Sequence, residues 1–131
     1  MKKRILLVDD EPMVLRIMRV ALAKEGHQID LAADGVQALA QIEAACPDVM
    51  VTDIDMPNMT GRELCLHLQE NMPNRKFPIF ISTSLAALHH RDWSKAIGNL
   101  HFLEKPISIR QLTRLIDQYT GANSPSEDLA P

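Results

Sequence analysis

At 131 residues the chain suits one domain with a single sizeable core, and its 46% apolar and 24% charged residues are those of an ordinary globular protein. A net charge of -3 argues against direct nucleic-acid binding, which needs a strongly basic face. No apolar run nears the roughly 20 residues that cross a bilayer, and Asp9-Asp10-Glu11 cuts the signal-like opening short. Cys46 and Cys65 lack metal or redox spacing and read as reduced thiols, so a cytoplasmic setting without membrane attachment is expected.

The first strand is expected over Ile5-Leu6-Leu7-Val8. A helix opens near Pro12, with Val14, Ile17, Met18, Ala21 and Leu22 at helical spacing and Gly26 as its stop. Gln28 to Ala32 reads as a second strand and Asp34-Gly35 as a turn. Val36, Leu39, Ala40 and Ile42 then mark a second helix, and Asp48 to Thr52 a third strand. Residues 55–61, Asp-Met-Pro-Asn-Met-Thr-Gly, are rich in turn formers and predict a loop. Leu64, Leu66 and Leu68 mark a third helix, and Pro78 to Ser82 a fourth strand. A fourth helix is expected over Ala87 to Ile97, a fifth strand over Leu100 to Leu103, and a last helix from about Ser108 to Tyr119. Its buried stripe is Ile109, Leu112, Leu115 and Ile116.

Five strands alternating with five helices predict an α/β fold: a doubly wound, five-stranded parallel sheet with helices on both faces. Residues 121–131 are too polar to order themselves by burial, and read as a flexible tail or as a linker from which a further domain has been cut.

Ligands of such sheets bind beyond the carboxyl ends of the strands. Those ends carry Asp9 and Asp10, Asp53, Thr83, and Lys105 followed by Pro106. Carboxylates brought together repel: two charges about 5 Å apart cost roughly 3 kcal/mol at an effective dielectric near 20. A bound cation reverses that, and an all-oxygen set of this kind suits Mg²⁺ shared with a phosphoryl group. An ammonium and a hydroxyl complete what phosphoryl transfer needs, which is mostly positioning and charge neutralisation. No Gly-rich nucleotide cradle is present, which argues against ATP as donor. A carboxylate must then accept the phosphoryl group, and Asp53, at the end of the central strand, is the natural acceptor.

The segments Val-Asp-Asp-Glu-Pro (8–12), Val-Thr-Asp-Ile-Asp-Met-Pro-Asn-Met-Thr-Gly (51–61), Ser-Thr-Ser (82–84) and Phe-Leu-Glu-Lys-Pro (102–106) together resemble the signature of receiver domains. These are the phospho-accepting modules of two-component response regulators, similar to the chemotaxis regulator CheY. The resemblance covers about residues 3 to 120 and implies a receiver domain over residues 1–120, with the CheY-like, flavodoxin-like strand order 2-1-3-4-5. It further implies that Asp53 takes phosphate from a phosphohistidine on a sensor histidine kinase or histidine phosphotransfer protein. Mg²⁺ would be held by Asp10 directly, by Asp9 largely through water, by Asp53, and by the backbone carbonyl of Asp55. Thr83 becomes the switch hydroxyl, Lys105 the phosphate clamp, and Phe102 the aromatic switch. Met56-Pro57 and Gly61 shape the active-site loop, and Lys105–Pro106 is expected to be cis. Output passes to a downstream protein through the face made by the fourth helix, fifth strand and last helix, so the chain signals rather than acting as an enzyme.

Simpler roles exist for single members. Asp9 alone would serve as a helix cap, Thr83 as a strand end, Phe102 as core filling and Asp55 as a solvated loop residue. Trp93 either packs against Ile97 or stands exposed as a partner anchor. His89 and His90, adjacent and so on different sides of a helix, are surface residues rather than metal ligands. Three readings compete with a stand-alone receiver. One is a Mg²⁺-dependent phosphatase or phosphotransferase with Asp53 as nucleophile. The second is a receiver excised from a multidomain regulator or hybrid kinase, and the third a relay intermediate. Asp55 and Leu85, two residues beyond Asp53 and Thr83, occupy the positions that tune dephosphorylation in the family. An aliphatic Leu85 cannot orient water, so a Leu85→Glu variant is expected to lose its phosphoryl group faster than the unsubstituted protein; equal lifetimes would remove that role.

Overall fold

Why the apolar runs end where they do becomes clear once they are paired. In the computed structural model, which describes residues 2–84 and 92–120, five strands form one parallel sheet in the order β2-β1-β3-β4-β5. They are β1 (Arg4–Val8), β2 (Gln28–Ala32), β3 (Val49–Asp53), β4 (Ile79–Thr83) and β5 (Leu100–Glu104). Four α-helices are described: α1 (Pro12–Ala23), α2 (Gly35–Ala44), α3 (Gly61–Asn71) and α4 (Ile109–Thr120). Every residue of β3 and β4 is buried, as expected of inner strands covered on both faces.

Successive strand side chains point to opposite faces, so the sheet divides the core into two layers. Leu6, Val8, Met50, Ile79 and Ile81 pack with Ala38 and Ile42 of α2 and Leu64 and Leu68 of α3. Ile5, Leu7, Val51 and Phe80 pack with Leu15, Met18 and Leu22 of α1 and Leu112 and Ile116 of α4. Each fully buried side chain of this size contributes about 1.5–3 kcal/mol by leaving water.

Helix ends follow local chemistry. Pro12 opens α1, and Gly26 ends the segment at φ +90°, a conformation that favours glycine. Thr60 and Glu63 form a reciprocal capping box at α3: Thr60 Oγ1 accepts the Glu63 N–H at 3.1 Å, and Glu63 Oε1 accepts the Thr60 N–H at 3.0 Å. Ser108, the predicted first residue of the last helix, instead precedes it and accepts the Gln111 N–H. Asp34-Gly35, predicted as a turn, is the cap and first residue of α2, with Asp34 accepting the Gln37 N–H.

Three helical stripes are met only in part, with Met18, Leu22, Ile42, Leu64 and Leu68 buried as expected. On α1 the buried residues are Leu15, Met18 and Leu22, while Ile17 is 57% exposed. Val36 and Ala40 of α2 and Leu66 of α3 also face solvent. These helices carry apolar residues on more than one side, so spacing alone does not select the face that meets the sheet. Of the helix expected over Ala87 to Ile97, residues 87–91 lie outside the described ones. The described remainder holds a 3-10 turn, Asp92–Ser94. Among the described residues no helix is long and apolar enough to cross a membrane. Replacing Ile17 by Gln is expected to shift urea-denaturation stability by less than about 0.5 kcal/mol. Leu22→Ala, which empties a fully buried site, is expected to cost about 2–5 kcal/mol in the same measurement.

Candidate functional site

Asp9 and Asp10 follow β1, Asp53 closes β3, Thr83 closes β4, and Lys105 follows β5. Parallel pairing keeps these ends level, with Val8 beside Thr52, Asp53 beside Ser82 and Thr83 beside Glu104. One carboxylate oxygen from each of Asp9, Asp10 and Asp53 lies within 4.8 Å of the others. Asp9 and Asp53 are buried and Asp10 is exposed. The ammonium of Lys105 reaches in from the rim, its side chain 41% exposed, to 2.9 Å from Asp53 Oδ1.

Backbone groups hold the two buried acids. Asp53 Oδ1 also accepts the Ile54 N–H at 2.8 Å, and Asp9 Oδ1 accepts the Glu11 N–H at 2.9 Å. Asp9 thus fixes the turn ahead of α1; the residue at the helix cap position is Glu11. The Lys105 N–H donates to the Thr83 carbonyl at 2.8 Å, which fastens the lysine to the end of β4, and the Lys105–Pro106 peptide is cis. Gly61 lies against the end of β3: a Cβ there would sit 2.1 Å from the Asp53 carbonyl oxygen, and its N–H donates to the Ile54 carbonyl at 2.7 Å. Only glycine allows that approach.

Three carboxylates face one ammonium in this cluster, so negative charge is in excess. Burial, reinforced by the charges of Asp53 and Asp10, pushes the Asp9 carboxyl above its ordinary value, although the Glu11 N–H and Lys105 pull the other way. Burial alone would lower the Lys105 ammonium. The hydrogen bond and charge of Asp53, with Asp9 and Glu11, outweigh it and raise the pKa. The all-oxygen donor set is chemically suited to a small hard cation such as Mg²⁺, whose ligand oxygens span about 4 Å. A cleft of about 500 Å³ runs from these acids between α1 and the start of α4, walled by Val14, Met18 and Ile107.

The remaining predicted residues differ in their surroundings. Thr83 is buried, with Oγ1 at 3.4 Å from the Ser84 carbonyl oxygen. Asp55 is exposed on the loop after β3. Phe102 is half-buried and meets Trp93 edge-to-face at 6.1 Å. Trp93, also half-buried, lies under the Arg62 guanidinium at 6.0 Å, so it is not a free anchor. Leu85, His89 and His90 lie outside the described residues. Cys65 is buried, its thiol pushed up to about 12 by that burial, and Cys46 is a free exposed thiol. Sequence reasoning passed over Asp34 and Asn58, which meet beside the site: Asn58 Nδ2 donates to Asp34 Oδ2 at 2.7 Å. Asp34 before a helical run is a legible cap, and asparagine favours the positive φ of 65° seen at Asn58. Their pairing across 24 positions carries no local signal.

The profile of the response regulator receiver domain matches residues 5–117, and the chain belongs to that family of two-component signalling domains. It is 31% identical over 125 residues to the response regulator MprA of Mycobacterium avium, a match covering 95% of this chain and 54% of MprA. The chain thus spans about half the length of the curated relatives it matches. Chemotaxis response regulator CheY4 of Vibrio cholerae superposes with a TM-score of 0.79 at 28% identity, covering 89% of this chain and 98% of that one. The response regulator TrrA of Thermotoga maritima, solved in complex with Mg²⁺-BeF, gives 0.76 at 27% identity, with 88% and 96% covered.

A raised Asp9 favours the neutral, protonated form in the folded protein. Metal-free stability is therefore expected to fall as pH rises from the ordinary carboxyl value, near 3.9, through the raised folded one. Asp9→Asn should remove that fall and, in EDTA at pH 7, raise the melting temperature by a few degrees, the shift that about 1 kcal/mol produces in a domain of this size.

Proposed function

We propose that Asp53 accepts a phosphoryl group from the phosphohistidine of a sensor kinase or histidine phosphotransfer protein, and that this chain is a signalling switch rather than a turnover enzyme. The observation that carries the reading is the Lys105 ammonium 2.9 Å from Asp53 inside a cluster of three converging carboxylates. With Oδ1 engaged by Lys105 and the Ile54 N–H, Oδ2 attacks phosphorus. The P–N bond to the donor imidazole breaks as the P–O bond to Asp53 forms, and the imidazole keeps the electron pair. Asp9, Asp10 and Asp53, with the Asp55 carbonyl, would hold Mg²⁺, which supplies charge neutralisation on the phosphoryl oxygens. Lys105 stabilises the same charge from the opposite side. The Mg²⁺-BeF complex of TrrA supports this assignment by likeness.

Phosphorylation adds charge at Asp53 and draws Thr83 and Lys105 toward it. Because Lys105 is fastened to Thr83 through its backbone, the ends of β4 and β5 respond together. Phe102, on β5 and packed on Trp93, carries the change to the surface around β5 and α4, where a downstream protein binds. Treatment with acetyl phosphate and Mg²⁺ is expected to place one acid-stable, base-labile label per chain and none on Asp53→Asn. Equal labelling of both proteins would overturn the acceptor assignment, and sustained turnover of a small phosphate ester would favour a phosphatase.

A further inference from the structure

The proposed cation site draws on a backbone carbonyl, that of Asp55, in a loop (residues 54–60) that has no regular structure of its own. A carbonyl on such a segment coordinates well only if something fixes the backbone. One end of the loop is held by Gly61, whose N–H binds the Ile54 carbonyl. The middle is held by a different element, the N-terminus of α2. Asn58 Nδ2 donates to Asp34 Oδ2 at 2.7 Å, while Asp34 Oδ1 accepts the Gln37 N–H at 2.8 Å. One carboxylate therefore caps α2 and grips the loop at once. Next to it, the Gly35 N–H donates to the Met59 carbonyl at 3.1 Å. A Cβ on Gly35 would lie 2.6 Å from Met59 Cγ, so the loop rests directly on the helix start. Ala38 and Ile42 bury α2 in the same layer as Leu6, Val8 and Met50. The loop is thereby referenced to the sheet that carries Asp9, Asp10 and Asp53.

We infer that Asp34 and Asn58 are positioning residues for the cation and phosphoryl site, setting its affinity for Mg²⁺ through the Asp55 backbone without touching the metal. Asp34 is buried, and the Gln37 N–H followed by the Asn58 amide hold its carboxyl below the ordinary value, so the grip is made by the charged form. Outer groups that hold a metal ligand in place commonly govern affinity by tenfold or more, and here the hold passes through the loop backbone.

The inference rests on the Mg²⁺ reading above, and the test separates the two. Titration of the whole chain with MgCl₂ by calorimetry is compared for the unsubstituted protein, Asn58→Gly, Asp34→Ala, Asp34→Asn and the Asn58→Gly/Asp34→Ala pair. Asn58→Gly tolerates the positive φ and leaves the α2 cap intact, yet it is expected to weaken Mg²⁺ about tenfold. Asp34→Ala should weaken it similarly and also lower the melting temperature through the lost cap. Asp34→Asn should stay within about twofold of the unsubstituted protein, because the Asn58 amide can turn and accept from the new amide. The paired variant should lose no more than either single change, the mark of one shared contact. If Asp34→Ala fails to fold, Asn58→Gly and Asp34→Asn decide. Normal Mg²⁺ affinity in folded Asn58→Gly overturns this inference alone, whereas no Mg²⁺ binding by the unsubstituted protein overturns the metal reading and this inference with it.

Discussion

Bringing three carboxylates together at one edge of a sheet is unfavourable, and the rest of this domain is arranged around that fact. Asp9 and Asp53 are buried, where water no longer screens them well, and one partly exposed ammonium faces all three acids. Burial first, and then the charges of Asp53 and Asp10, hold the Asp9 carboxyl above its ordinary value. A site built this way favours added positive charge, which is what the proposed binding of Mg²⁺ and a phosphoryl group calls for. The excess charge is thus a functional constraint imposed on an otherwise ordinary apolar core.

The fold tolerates the constraint because the acids stand on its most rigid part. β1, β3 and β4 form the middle of the sheet, with residues such as Leu6, Met50 and Phe80 fully buried on one face or the other. Their C-terminal ends cannot spread without breaking ladder hydrogen bonds and exposing both core layers. Lys105 is placed with less authority, since it follows the edge strand β5 and reaches Asp53 with a partly exposed side chain, its backbone held to Thr83. That difference suits a switch: the anionic group stays fixed while the groups that answer it can shift. The Phe102–Trp93–Arg62 contact ties β5 to the start of α3 through the turn at Asp92–Ser94.

Much of this was legible from the residues in order. All five strands fell within a residue of their predicted limits, because short apolar runs bounded by turn formers have few other uses. Ser108, predicted as the first residue of the last helix, stands just ahead of it, and the capping box at Thr60 went unread although its chemistry is complete within four residues. Ile17 shows where such reading stops. It sits at proper helical spacing with Val14 and Met18, yet Leu15 and Met18 face the sheet and Ile17 faces solvent. Trp93 behaves similarly: its partners Phe102 and Arg62 come from β5 and α3, and no period predicts them.

By itself the sequence determined the five strands and four of the expected helices, their order, and which polar side chains stand at the strand ends. Those depend on backbone propensity, turn chemistry and two- or 3.6-residue periods, all local. Tertiary structure alone decided which face of α1 is buried, that Asp53 Oδ1 rather than a whole carboxylate meets Lys105, and that Asp34 grips Asn58. Each of these is a contact between segments far apart in the chain, set by how helices seat on a twisted sheet and by sub-ångström fit. No stretch of residues encodes that seating alone, because it belongs to the packed core as a whole.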